Sequence, residues 1–220
     1  MKRWAFCWAM MLGMVLLPTR PVFATTVISS TFDTDADGWT ATPGEAALTY
    51  EAVGGNPGGF LRIEDTGPAS YALFPPAKFK GNLLAFDGGL LTYDVKVFPP
   101  TPPLTFVGSG FGRVQLEGPG EPGSGKTATF DYAPNPPVPS PDFWKTYSVP
   151  MTAEAWHATQ EDWDTVLSDV TIFHITLGLE NIGLDNVKLA PVPEPSSLLL
   201  LGSGLVGLIG WRRKRTSAST

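Results

Sequence analysis

Glycine and proline cut this chain into short runs, and no other feature restricts its fold as much. Of 220 residues, 24 are Gly and 22 are Pro, and the proline share is about twice the usual one. They cluster at 54–59, 99–103 and 134–141. Proline inside a helix removes a hydrogen bond and clashes with the preceding turn, so long helical bundles and coiled coils are excluded. Between the clusters, apolar and polar residues alternate. Leu61 and Ile63 flank Arg62, Leu91, Tyr93, Val95 and Val97 enclose Thr92, Asp94 and Lys96, Phe173, Ile175, Leu177 and Leu179 skip His174 and Thr176, and Val187 and Leu189 flank Lys188. A period of two marks strands with one buried face. Further strands are expected at 27–32, 46–53, 70–74, 112–117, 127–132 and 144–149. Only 160–168, with Trp163 and Leu167 one helical turn apart, reads as a helix. The fold class is therefore all-β: a single antiparallel β-sandwich of jelly-roll type over residues 25–190.

The two ends read differently from the body. Lys2 and Arg3 precede fourteen residues, Trp4 to Leu17, with no charge, and Val22-Phe23-Ala24 follows. This is the layout of a signal peptide at 1–24, cut by signal peptidase after Ala24. Its removal also takes Cys7, the one cysteine, so neither a disulfide framework nor a cysteine-built metal cluster is available. Residues 25–193 hold eight basic and twenty acidic side chains, a net charge of −12. Such a body repels phosphate backbones, which excludes nucleic acid as a partner.

At the other end, Val192-Pro193-Glu194-Pro195 leads into sixteen residues, Ser196 to Trp211, without a charge, followed by Arg212-Arg213-Lys214-Arg215. As a helix, 196–211 would span about 24 Å at 1.5 Å per residue, and the bilayer and flanking Trp and Arg side chains can absorb the shortfall from about 30 Å. The basic cluster fixes the tail on the cytoplasmic side of the inner membrane, with the body outside the cytoplasm. In this order the three parts resemble the PEP-CTERM sorting signal of Gram-negative bacteria, with Pro193, Glu194, Pro195, Arg212, Arg213, Lys214 and Arg215 as the matching positions. The resemblance implies that exosortase recognises 191–220 and processes the protein near Glu194, in an organism that makes exopolysaccharide.

Several phrases of the body carry a second resemblance. They are Phe32-Asp33-Thr34-Asp35-Ala36-Asp37-Gly38-Trp39, Gly55-Asn56-Pro57-Gly58-Gly59-Phe60-Leu61, Lys78-Phe79-Lys80-Gly81-Asn82, Gly88-Gly89-Leu90-Leu91-Thr92-Tyr93-Asp94 and Gly183-Leu184-Asp185-Asn186-Val187. In this order they resemble a laminin-B-type (laminin IV) domain with a galactose-binding-like jelly roll. That resemblance implies a binding or structural module of the cell exterior and no reaction.

Four motifs bear on chemistry. Gly120-Glu121-Pro122-Gly123-Ser124-Gly125-Lys126-Thr127 satisfies the phosphate-loop pattern, but a strand pattern follows where the mechanism needs a helix N-terminus, so a hairpin loop is expected and no nucleotide. Asp33, Asp35, Asp37 and Gly38 copy the first half of a calcium loop, yet Gly44 stands where the bidentate Glu belongs. Two readings remain: Ca²⁺ held by Asp33, Asp35 and Asp37 with Asp185 from the other end of the chain, or a turn capped by its own carboxylates. Trp39 and Trp156, beside polar segments, are the candidate aromatic platforms for a sugar. Catalysis has little to stand on: His157 and His174 lack metal-ligand spacing, no nucleophile elbow occurs, and Glu161 with Asp162 or Asp164 is the one candidate carboxylate pair. The expected protein is thus non-catalytic, exported and transiently anchored, with extracellular polysaccharide as its partner. A polysaccharide-acting hydrolase and a purely structural coat component are the alternatives.

Overall fold

A computed structural model describes residues 26–98, 111–121, 123–132, 142–178 and 181–192. The expected signal peptide, the 196–211 span and the sorting residues from Pro193 onward lie outside the described residues. Among the described residues eleven strands form two antiparallel sheets: β1 (Ile28–Ser30), β2 (Thr40–Ala41), β3 (Ala46–Glu51), β4 (Phe60–Asp65), β5 (Leu73–Phe74), β6 (Leu90–Val97), β7 (Arg113–Glu117), β8 (Thr127–Phe130), β9 (Lys145–Pro150), β10 (Ile172–Thr176) and β11 (Asn181–Ala190). One sheet runs β3-β4-β11-β6-β9 with β1 also paired to β11, and the other runs β2-β5-β10-β7-β8. The β-sandwich expected from the alternation is present.

The inward positions are those that the period-two pattern marks. Leu61, Ile63, Leu91, Tyr93, Val95 and Val97 from the first sheet meet Leu73, Val114, Leu116, Phe173 and Ile175 from the second, all within 2% of full burial. Trp39 and Phe79 pack edge-on at 6.0 Å, and Phe79 does the same with Phe173 at 6.1 Å, which ties the loops to both sheets. Among the described residues the one α-helix, α1 (Gln160–Ser168), starts where Thr159 accepts a hydrogen bond from the Asp162 amide, a side-chain N-cap. It sends Trp163, Val166 and Leu167 into the core, and the Trp163 indole donates to Asp87 at 2.8 Å.

Strand β11 is longer than the 186–189 alternation predicts. Its inward residues are Ile182, Leu184, Val187 and Leu189, so the spacing is two, then three, then two. A register shift between Asp185 and Lys188 absorbs the extra residue, and Asn186 sits there at φ +48°, a left-handed conformation that Asn tolerates. The bulge hides the first half of the strand from a strict period-two reading.

Candidate functional site

The outward face of the six-stranded sheet gathers aromatic, charged and amide side chains. Register aligns them in rows across β4, β11, β6 and β9. Gly183 lies opposite both Arg62 and Lys96, Asp185 opposite Asp94, and Asp94 opposite Thr146. Continued by one position, these pairings put Phe60 beside Asp185 and Trp144 beside Lys96. Asn181 faces Glu64, and its carbonyl accepts from the Phe98 amide at 3.0 Å.

Two tiers result. The aromatic tier is built over Gly183. A Cβ there would lie 2.7 Å from Trp144 Cη2, 3.0 Å from Phe60 Cδ2 and 3.1 Å from Phe98 Cε2, so only glycine lets the three rings close over the strand. Phe60 stacks on Phe98 at 5.4 Å and meets Trp144 edge-on at 5.5 Å. Arg62 and Lys96 sit over the Phe98 ring at 4.4 and 4.8 Å from its centroid, a cation–π arrangement. Trp144 and Phe98 are half-buried, and Phe143 beside them is 70% exposed. The Trp144 indole N–H donates to the Gly54 carbonyl at 3.1 Å, which fixes the ring plane.

The polar tier lies one row away, under the loop 54–59. Asp185 accepts from the Asn56 amide at 2.6 Å and the Asn186 amide at 2.7 Å. Asp94 accepts from Thr146 at 2.6 Å, from Asn186 Nδ2 at 2.9 Å and from Asn56 Nδ2 at 3.0 Å. Both carboxylates are buried, at 0% and 5% exposure. Burial pushes the Asp185 carboxyl up to about 6; the two amides oppose this, and the charges of Asp94 and Asp33 reinforce it.

Beyond the Glu64–Asn181 row opens a cleft of about 650 Å³, lined by residues 64–71 with Gly178 and Asn181. The Asn181 side-chain carbonyl oxygen is buried there without a hydrogen-bond partner.

The positions expected from sequence fall elsewhere. Trp39 and Trp156 are core residues, 5% and 2% exposed, and their indoles donate to Ser30 Oγ at 3.0 Å and the Pro150 carbonyl at 2.8 Å. Neither presents a ring face to a sugar, which corrects their assignment as platforms. They lie next to polar segments because Trp needs a partner for its N–H when buried. Of the calcium set, Asp33 alone comes near Asp185, close enough for its charge to act on that carboxyl. Asp35 accepts from the Asp37 amide at 2.7 Å, and Asp37 takes the Ser30 hydroxyl at 2.6 Å and the Lys78 ammonium. Asp33 accepts from Thr31 at 2.6 Å. Asp35 and Asp37 therefore cap and brace their own turn and do not fit a shared ion with Asp185. Among the described residues no group of three or more His, Cys, Asp or Glu is arranged to hold a metal.

The phosphate-loop pattern closes on itself. It spans the β7–β8 hairpin, and the buried Glu117 carboxylate accepts from the Gly123 and Gly125 amides at 2.7 and 2.9 Å. Lys126, the residue that would reach a phosphate, pairs with Asp162. Of the candidate carboxylates on α1, Asp162 is held by that lysine and Asp164 accepts from Gln160 at 2.8 Å. His174 packs edge-on against Phe74, and burial and the Arg113 charge hold its pKa below the usual range.

Sequence reasoning missed Arg62, Lys96, Phe98 and Asn56 as site residues and took Trp144 for the start of a strand. The signal was present in part: Arg62 and Lys96 stand at outward positions of strands whose other face is core, and Phe98 and Trp144 adjoin the ends of β6 and β9, whereas Asn56 lies on a loop and shows no period.

Comparison with known proteins is informative at two levels. Residues 191–215 match the PEP-CTERM protein-sorting motif. The chain therefore carries the signal of an exported protein that is anchored in the membrane and then processed by exosortase. Over 74% of this chain and 97% of the other, the fold is similar to the L4b domain of human laminin alpha-2, at TM-score 0.51 and 14% identity. Lower similarity is found with the CBM22-1 and GH10 modules of a Clostridium thermocellum xylanase (TM-score 0.48, 18% identity, 78% of this chain and 29% of that one). A family 11 carbohydrate-binding module of a C. thermocellum cellulase gives TM-score 0.45 and 15% identity over 77% and 98% of the two chains. No curated protein matches by sequence.

Proposed function

We infer that the protein is a non-catalytic binding module of the bacterial exterior, whose ligand is extracellular polysaccharide held on the outward face of the six-stranded sheet. The observation that carries this reading is the half-buried Trp144 and Phe98 beside the exposed Phe143, backed by the buried Phe60 ring over Gly183 and flanked by Arg62, Lys96 and Glu64. Aromatic faces pack on sugar C–H faces, and charged and amide side chains beside them hydrogen-bond the hydroxyls. The buried Asp94 and Asp185 are tied to Asn56, Asn186 and Thr146, which favours a structural over a hydrolytic role for this pair.

The life history follows from the two ends. Signal peptidase removes 1–24 after Ala24, the 196–211 span holds the body outside the inner membrane of a Gram-negative cell, and exosortase acts near Glu194. The mature module then resides at the cell surface or in the matrix. Two experiments test this. Insoluble polysaccharides are mixed with the exported protein, and depletion of folded protein from solution is expected for at least one of them. Glu194→Ala is expected to leave unprocessed protein in the membrane fraction, and unchanged processing would overturn the sorting assignment.

A further inference from the structure

The same outward face that gathers aromatic and charged groups near Gly183 ends, seven residues further along β11, in a row with no polar side chain. Ala190 lies opposite Leu90, and Leu90 opposite Pro150. Val27 precedes the Ile28–Leu189 pair and so extends the row through β1. Leu90 is 39% and Val27 41% exposed. Val192, 45% exposed, rests on the turn at Gly88, where a Cβ would meet its Cγ2 at 2.9 Å, and the same turn begins at Leu84, 40% exposed. Four of the six large apolar side chains that are exposed among the described residues therefore share one end of the sandwich. The other two, Val53 and Phe143, lie near the Gly54 loop and Trp144 at the opposite end.

That apolar end is the end from which the chain leaves. Only Pro193, Glu194 and Pro195 separate Val192 from the uncharged run that starts at Ser196. The four steps from Val192 to Ser196 span at most about 14 Å when fully extended. While the run is in the bilayer, the apolar row is held against the lipid headgroups, with no room for a layer of protein between them. The body carries a net charge of −12, so charge attraction to an anionic leaflet does not supply the contact. Shallow insertion of apolar side chains at the headgroup–acyl boundary does.

We propose that Val27, Leu84, Leu90, Pro150, Ala190 and Val192 form a lipid-contacting rim that seats the anchored precursor on the outer leaflet of the inner membrane before processing. Seated this way, the aromatic face near Gly183 is at the far end of the sheet from the membrane and open to polysaccharide while the protein is still anchored. Processing releases the rim from the bilayer.

The proposal rests on the reading of 196–211 as a membrane anchor, and the test separates the two. The chain without its signal peptide, residues 25–220, which has no native cysteine, is reconstituted into vesicles of phosphatidylethanolamine with a minor share of phosphatidylglycerol. An environment-sensitive fluorophore is placed at Leu90→Cys or, at the far end, at Val53→Cys, and quenching by an acyl-chain nitroxide is measured. Quenching several-fold stronger at 90 than at 53 is the expected result. Equal, weak quenching in protein that co-sediments with the vesicles would overturn the rim and leave the anchor standing. Failure to co-sediment would overturn both. Fluorescence at 90 that responds to protein concentration but not to the quencher would assign the row to a second copy of the chain and overturn the lipid contact.

Discussion

Asp94 and Asp185 lie opposite one another on β6 and β11, and Asn56 holds both: its amide N–H donates to Asp185 at 2.6 Å and its side-chain nitrogen to Asp94 at 3.0 Å. Two carboxylates in adjacent buried positions repel, and the loop 54–59 is the element that makes their placement tolerable. It covers them with donors and, through the Gly54 carbonyl, also sets the plane of Trp144. Loop, carboxylate pair and aromatic tier are one mechanical unit.

The pair predicts an unusual pH dependence. The Asp185 carboxyl is pushed up to about 6 in the folded state, above its ordinary value near 3.9. The folded state therefore holds this proton more tightly than the unfolded state does. Asp185's contribution to stability is fully present below about pH 4 and is lost as pH rises through about 6. Asp185→Asn should flatten that slope, removing on the order of 2 kcal/mol of the difference between pH 4 and pH 7. Urea unfolding at a series of pH values reads it; an unchanged slope would mean that the carboxyl is ionised at no cost.

Gly183 is expected to be intolerant of any side chain. Gly183→Ala must move Trp144, Phe60 or Phe98, whose atoms lie 2.7–3.1 Å from the new Cβ. Overpacking of this kind costs about 1–3 kcal/mol, and polysaccharide binding should weaken along with stability. Thermal unfolding and a binding isotherm on the same sample check both.

The tryptophans should separate into two classes. Trp156→Ala empties a fully enclosed site against Trp163 and should cost about 3–5 kcal/mol. Trp144→Ala removes a half-buried ring and one hydrogen bond, and should cost no more than about 2 kcal/mol while removing ligand binding. Near-equal stability losses would contradict the placement of these rings.

Glu117 is predicted to matter for the hairpin and for nothing nucleotide-related. Glu117→Ala leaves the Gly123 and Gly125 amides without their acceptor, at about 1–3 kcal/mol. Amide exchange in 123–126 should accelerate. Protection unchanged from the native protein would show that the loop is held by other contacts.

Much of the fold was legible because a sandwich writes its buried face into alternate residues. The runs around Leu61, Leu91 and Phe173 and the helix at Gln160–Ser168 needed no tertiary information. Strand β2 and the first half of β11 were not legible: Thr40–Ala41 is too short to show a period, and the bulge at Asn186 shifts the phase. The aromatic platforms were read onto buried rings for a physical reason. Proximity to polar segments does not distinguish an exposed indole from a buried one whose N–H needs a partner, as with Trp39 and Ser30. Aspartates on alternate residues look like a cation loop until Lys78, distant in sequence, is brought to Asp37. The sorting signal was legible in full, because order and spacing along the chain define it and no tertiary contact does.

The central claim, a polysaccharide site on the outward face of the six-stranded sheet, is tested most directly by a glycan array probed in parallel with the exported protein and its Trp144→Ala variant. The account predicts binding to a restricted class of glycans, lost in a variant that unfolds within a few degrees of the native protein. A folded native protein that binds no glycan, or binding that survives Trp144→Ala undiminished, would contradict it.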